Sequence, residues 1–70
     1  MSQENKIRMA AANKNISLAK LAKEIGQTPS NFHQKLKRNT FTESELKQIA
    51  EALGAKYVPM KFIFDDGTEI

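Results

Sequence analysis

Residues 17–38 read SLAKLAKEIGQTPSNFHQKLKR and predict two short helices joined by a tight turn. Ser17 is a good N-cap for the first helix, because its side chain can accept a hydrogen bond from a free backbone N–H. The apolar residues of this helix recur at helical spacing on one face: Leu18, Leu21, Ala22 and Ile25. Gly26 follows the last of them, in the position where a left-handed backbone often ends a helix.

The second helix of the pair is expected over about residues 28–37, with Thr28 as N-cap and Pro29 in the first turn. Phe32 and Leu36 are four residues apart and supply its buried side. At about 100° per residue, three polar residues then point the opposite way, namely Ser30, Gln34 and Lys37. Asn31 and Arg38 flank this polar face on one side and His33 on the other. Two helices closed by a short glycine-containing turn form a helix-turn-helix, whose second helix enters the DNA major groove.

The outward face carries groups that suit DNA. Gln34 can pair with adenine through both atoms of its amide, Ser30 can bond to several bases, and Lys37 can reach guanine or a phosphate. Thr28 and the N–H groups at the helix start can hold a backbone phosphate. Further phosphate contacts are expected from Lys35 and Arg38, with Lys20 or Lys23 of the supporting helix. Each residue also has an ordinary interpretation: Thr28 and Ser30 as local caps, and His33, Gln34, Lys37 and Arg38 as solvated surface.

The net charge of +3 is unevenly distributed along the chain. Residues 1–40 hold eight basic and two acidic residues, a balance of +6, whereas residues 41–70 hold three basic and six acidic residues, a balance of −3. The cationic half contains the helix-turn-helix. This asymmetry favours a polyanionic partner, although ordinary solvated charge is the alternative.

Two more helices and a tail complete the predicted architecture. Ser2 can cap a helix over about residues 3–13, and Thr42 with Glu45 forms a capping box for a helix that Gly54 ends. A loop is expected to begin at Arg38. The tail changes to a period of two, with Val58, Met60, Phe62 and Phe64 on one side, which predicts a strand over about residues 58–64. Asp66-Gly67 is a turn signal that would make the tail a hairpin, and Pro59 indicates an edge or the start of the strand.

The tail needs cover for its apolar side, because a lone strand or hairpin is marginal in water. It can fold back onto helices 1 and 4 of its own chain. Alternatively, residues 57–70 can pair with those of a second copy and form a symmetric dimer. Such a dimer would place two recognition helices about 34 Å apart on a palindromic site.

With these features the chain resembles the phage Cro and repressor-like helix-turn-helix family, also called XRE-type, over about residues 5–54. The resemblance is carried by Ile16-Ser17, Leu21-Ala22, Ile25-Gly26, Thr28-Pro29-Ser30, Phe32 and Leu36, and residues 46–57, LKQIAEALGAKY, look like the helix-4 and helix-5 region of the family. It implies a mainly α, four- to five-helix repressor-like domain, here over residues 1–55. The period-two pattern adds a strand or hairpin tail over residues 56–70, where the family often has a fifth helix. The resemblance also implies base-reading roles for Thr28, Pro29, Ser30, His33, Gln34 and Lys37, and backbone-clamping roles for Ser17, Lys35, Arg38 and Asn39.

These features predict a sequence-specific regulator of transcription that binds double-stranded DNA, of prophage or mobile-element type and usually dimeric. The alternative is a protein-interaction module, such as a DNA-binding antitoxin that grips a toxin with its tail. An enzyme is not expected, because the sequence shows no set of nucleophile, base and orienting group, and 70 residues leave no room for a deep cleft. No cofactor or metal is expected, since cysteine is absent and histidine occurs once. Without a signal peptide or about 20 consecutive apolar residues, a cytoplasmic protein with no membrane span is expected.

Overall fold

Four α-helices followed by a β-hairpin make up the part of the chain that this computed structural model describes, residues 2–59 and 61–70. The helices are α1 (Gln3–Asn13), α2 (Leu18–Glu24), α3 (Pro29–Arg38) and α4 (Glu43–Ala52), and the strands are β1 (Lys56–Val58) and β2 (Lys61–Ile63). The predicted mainly α fold with a C-terminal hairpin is therefore confirmed. None of the helices in these ranges is long and apolar enough to cross a membrane.

Each helix begins at the residue that the sequence predicts, because each start is fixed by a local side-chain cap. Ser2, Ser17, Thr28 and Thr42 all accept a hydrogen bond from the backbone N–H three residues ahead, at 3.1–3.2 Å. At α4 the Glu45 carboxylate also accepts from the Thr42 N–H at 3.0 Å, which completes the predicted capping box.

The ends of α2 and α3 are set by left-handed residues. Gly26 has a φ of 75°, as predicted for the residue that follows α2. Asn39 has a φ of 54° and caps α3, in a conformation that asparagine tolerates better than most residues. The prediction that a loop begins at Arg38 was wrong by one residue, because the Asn39 cap lets the helix continue through Arg38.

The core clamps α3 against the other helices. Phe32 and Leu36 of α3 are 1% and 0% exposed, and they belong to one buried cluster with Ile7 of α1, Leu21 of α2 and Ile49 of α4. The Phe32 ring also packs on Phe41, with ring centroids 5.2 Å apart. These anchors fix the rotation of α3 about its axis, and therefore which of its residues face solvent.

The tail differs from the predicted strand over residues 58–64. Strand β1 starts earlier, at Lys56, and Val58 pairs with Lys61, so the chain reverses between them. Pro59 follows β1 in a turn and is neither in a strand nor at its start, because proline fixes φ and cannot donate to a β-ladder. The predicted place of Met60 on the apolar side lies outside the described residues.

The predicted turn at Asp66-Gly67 is present and returns the chain to β2. Phe62 and Ile70 exchange backbone hydrogen bonds at 2.7 and 2.9 Å, and Ile63 forms a bridge with Glu69. Phe62 and Phe64 are buried in the same core as the helices. The tail thus folds back onto its own chain, whereas pairing with a second copy remains a prediction, as does the domain boundary at residue 55.

Candidate nucleic-acid interface

Helix α3 presents a polar surface directly opposite its buried anchors. Ser30, Gln34 and Lys37 are all exposed, as the helical periodicity predicts. Asn31, His33 and Arg38 are exposed beside them. We call the surface formed by these six residues the α3 face.

The start of α3 offers fewer backbone donors than a typical helix. Pro29 has no N–H, the Asn31 N–H donates to the Thr28 hydroxyl at 3.2 Å, and the Phe32 N–H donates to the Thr28 carbonyl. The Ser30 N–H therefore remains as the first-turn donor that can meet a phosphate. Thr28, Pro29 and Ser30 are all exposed and accessible to such a ligand.

Helix α2 forms one wall of a groove beside the α3 face. Leu18 and Ala19 at the start of α2 line this groove, opposite Pro29, His33 and Gln34. Ser17 caps α2 immediately before this wall and is exposed. Of the predicted residues, Pro29, Ser30, His33 and Gln34 thus line one open groove, and Ser17 lies next to its α2 wall. Lys37, Arg38 and Asn39 do not line it.

Lys35 points away from this groove, towards α4. Its ammonium forms an ion pair with the Glu45 carboxylate, which also accepts a hydrogen bond from the Gln27 side-chain amide at 2.8 Å. The hydrogen bond from Lys35, followed by the one from the Thr42 N–H, lowers the pKa of Glu45 to about 2. The half-buried Lys35 is therefore tied into the turn and α4, unlike the exposed residues of the α3 face.

Lys37 and Asn39 both contact Glu4 at the start of α1. The Lys37 ammonium lies 3.4 Å from the Glu4 carboxylate, which also pairs with Arg8 at 3.1 Å. The Asn39 side-chain oxygen accepts a hydrogen bond from the Glu4 backbone N–H at 2.9 Å. Hydrogen bonds from Arg8 and, to a smaller extent, Lys37 lower the pKa of Glu4.

Arg38 and His33 show no such partner. Neither forms an ion pair within residues 2–59 and 61–70, and both are exposed. Arg38 is thus the cation of α3 most directly available to a phosphate.

Over residues 2–59 and 61–70, no cluster of three or more histidine, cysteine or acidic residues is arranged to hold a metal.

Three polar residues that shape this region were not predicted as part of it: Glu4, Gln27 and Glu45. Their contacts with other elements join residues 10 to 35 positions apart in the chain, and helical periodicity carries no information at that range. One signal was available, because Glu4 is one of only two acidic residues in the cationic first half.

These features define a helix-turn-helix protein. The second helix buries one side and exposes a polar, cationic face, and the first helix packs against it across a glycine turn. Comparison with known families gives a more specific result. The family model described as the Cro/C1-type HTH DNA-binding domain matches residues 6–57. The chain belongs to this family, so it is a DNA-binding protein, as the XRE-type resemblance predicts.

Comparisons with individual proteins identify no relative of this chain. No curated protein and no solved structure matches the chain significantly. The assignment of DNA-contacting residues therefore depends on the geometry of the α3 face.

Proposed function

We propose that this protein is a sequence-specific regulator of transcription, of prophage or mobile-element type, that inserts α3 into the major groove of duplex DNA. The observation that carries the proposal is the orientation of α3. With Phe32 and Leu36 buried in the core, Ser30, Gln34 and Lys37 stand together in solvent. These are residue types that recognise base edges and phosphates.

The proposed contacts divide into readers and clamps. We assign Thr28, Pro29, Ser30, His33 and Gln34 to the bases, Lys37 to a guanine or a phosphate, and Ser17, Lys35, Arg38 and Asn39 to the phosphates. Gln34 is the strongest candidate for sequence readout, because its amide can both donate to and accept from adenine. Arg38 is the strongest candidate clamp, since it is exposed and has no carboxylate partner among the described residues.

We further propose that the protein acts in the cytoplasm as a homodimer, with contacts between copies made by residues 57–70. The antitoxin alternative, in which the tail grips a protein partner, has less support. Phe62 and Phe64, its largest apolar side chains, are 2% and 3% exposed in the core of their own chain. They are therefore not available to a partner without unfolding of the tail.

A selection of random duplexes followed by binding titrations tests the proposal. We expect an enriched motif and binding that weakens steeply with salt, because phosphate contacts release counterions. Gln34→Ala should lower affinity for the selected motif about 5- to 100-fold and change the preferred base at one position. Arg38→Ala should weaken binding to all duplexes alike and reduce the salt slope by about 1.

A matched control is Gln48→Ala, which removes a glutamine amide from an exposed position of α4. It should leave both affinity and preference unchanged. No enrichment in the selection, or equal effects of Gln34→Ala and Gln48→Ala, would contradict the proposed readout.

A further inference from the structure

Glu4 is a carboxylate placed among predicted DNA-binding residues. It pairs with Lys37, and its backbone N–H bonds to the side chain of Asn39. The only other acidic residue in the first 40 positions, Glu24, lines a separate groove with Gln48 and Glu51 of α4. Among the acidic residues of the cationic half, Glu4 is therefore the one that bears on the proposed interface.

The two cations on Glu4 are held in different ways. Arg8 lies one helical turn away on α1 and brings both Nε and Nη2 to the same carboxylate oxygen, each at 3.1 Å. Lys37 reaches over from α3 with a single ammonium at 3.4 Å, and its side chain is 57% exposed. Arg8 is thus the firm partner, and Lys37 can leave while the Glu4 carboxylate keeps a cation.

Lys35, the other paired cation of α3, is held more firmly than Lys37. Its partner Glu45 is only 16% exposed and also accepts hydrogen bonds from Gln27 and Thr42. Release of Lys35 would disturb the turn and the start of α4. Release of Lys37 removes one contact of an ammonium that is 57% exposed, and Arg8 remains on the 22% exposed Glu4 side chain. A contact of such an exposed cation contributes little in water.

We propose that Glu4 sets the DNA affinity of this protein by competing with the phosphate backbone for Lys37. In the free protein the ammonium lies on Glu4, and on the duplex it transfers to a phosphate while Arg8 remains on the carboxylate. This inference rests on the proposed function. Its consequence is weaker binding to duplexes of every sequence, so that base contacts such as those of Gln34 decide where the protein stays.

A double-mutant cycle measures this competition. Wild type, Glu4→Gln, Lys37→Met and the double variant are titrated by fluorescence anisotropy against a labelled mixed-sequence duplex of about 20 base pairs, which spans two turns. Glu4→Gln should raise affinity about three- to tenfold at low salt when Lys37 is present. In the Lys37→Met background the gain should fall below about twofold, because only the general change in charge remains.

Glu24→Gln is the matched control, since it makes the same change in net charge away from the α3 face. It should raise affinity by less than about twofold in either background. Circular dichroism melting of each variant checks that the fold is retained.

Four results would overturn the inference. An equal gain from Glu4→Gln in both backgrounds would show a general charge effect, and a loss of affinity would show that Glu4 positions Lys37 for binding. If Glu4→Gln changes nothing while wild type binds DNA, the competition does not exist and the proposed function stands. If no variant binds any duplex at low salt, the proposed function fails first and the inference with it.

Discussion

Glu45 holds together three segments around α3. Its carboxylate contacts the Lys35 ammonium, the Gln27 amide and the Thr42 N–H, which belong to α3, to the turn before it and to the cap of α4. These contacts stabilise the charged form and lower the pKa of Glu45 from 4.5 to about 2. Because the pKa in the folded state is depressed, the stabilisation is present above pH 4.5 and is lost as the pH falls towards 2.

Glu45→Gln should therefore destabilise the protein at neutral pH. Glutamine keeps the shape, and its oxygen can still accept from the Thr42 N–H, but the charge and the acceptor for Lys35 and Gln27 are lost. We expect the free energy of unfolding in urea to fall by about 1–2 kcal/mol at pH 7, since Lys35 is partly exposed and its ion pair is screened. The difference from wild type should narrow as the pH is lowered from 4.5 towards 2.

Glu51→Gln serves as the control, because it removes a carboxylate from an exposed position of the same helix. Its effect should stay within about 0.5 kcal/mol at every pH. A difference between Glu45→Gln and wild type that does not depend on pH would contradict the electrostatic interpretation.

The side chains that could be predicted from the sequence are those whose position depends on one helix alone. The exposure of Ser30 and Gln34 follows from the spacing of Phe32 and Leu36. The pairing of Lys35 with Glu45 does not, because it depends on how far apart α3 and α4 lie in space. Charged residues such as Lys35 were therefore predicted to contact DNA, because the sequence does not reveal which carboxylates of other helices lie beside them.

Helix α1 secures the loop that follows α3. The Gln3 side-chain amide donates to the Phe41 carbonyl and accepts from the Phe41 N–H, both at 3.0 Å. This pair imitates the hydrogen bonds of a β-ladder and is partly buried. It connects the first turn of α1 to the residue whose ring packs on Phe32.

Gln3→Ala should release this loop. Both Phe41 backbone groups would lose their partner, so we expect a loss of about 1–2 kcal/mol in the free energy of unfolding. The Phe41 amide should also exchange faster with solvent, as measured by hydrogen exchange. Asn5→Ala, at an exposed position two residues along α1, should change neither quantity, and unchanged exchange at Phe41 in Gln3→Ala would refute the role.

Helices were more predictable than strands in this chain, for a physical reason. A helix start depends on a cap three residues from its donor, as at Thr42 and Glu45, and such pairs are visible in sequence. A strand depends on which segment it pairs with. Alternating apolar residues ran through Pro59, but the pairing of Val58 with Lys61 divided that run into two strands.

A single copy of the protein, with its one proposed recognition helix, is too small to contact two successive major grooves. Its principal extents are 31 × 20 × 18 Å, whereas successive major grooves on one side of the duplex lie about 34 Å apart. A second copy is needed to occupy the next groove. A palindromic site with half-sites one helical turn apart follows from such a pair.

Residues 68–70 provide an edge through which two copies could pair. Phe62 and Ile70 exchange hydrogen bonds, so the N–H and C=O of the residue next to Ile70, Glu69, point away from β2. We predict that Glu69→Pro, which removes an outward N–H, shifts the protein from dimer to monomer in sedimentation experiments. Glu69→Ala removes the ion pair with Lys61 but keeps the N–H, and it should leave the dimer intact.

The stoichiometry and salt dependence of DNA binding should also reveal the loss of the dimer. Wild type is expected to bind two copies per duplex on a palindrome with half-sites about 10 base pairs apart, and Glu69→Pro one copy with about half the salt slope. The slope halves because each copy brings its own set of phosphate contacts. If wild type sediments only as a 7.9 kDa species at micromolar concentration and binds its duplex one to one, the dimer is refuted. If Glu69→Pro remains dimeric, the copies meet elsewhere than at residues 68–70.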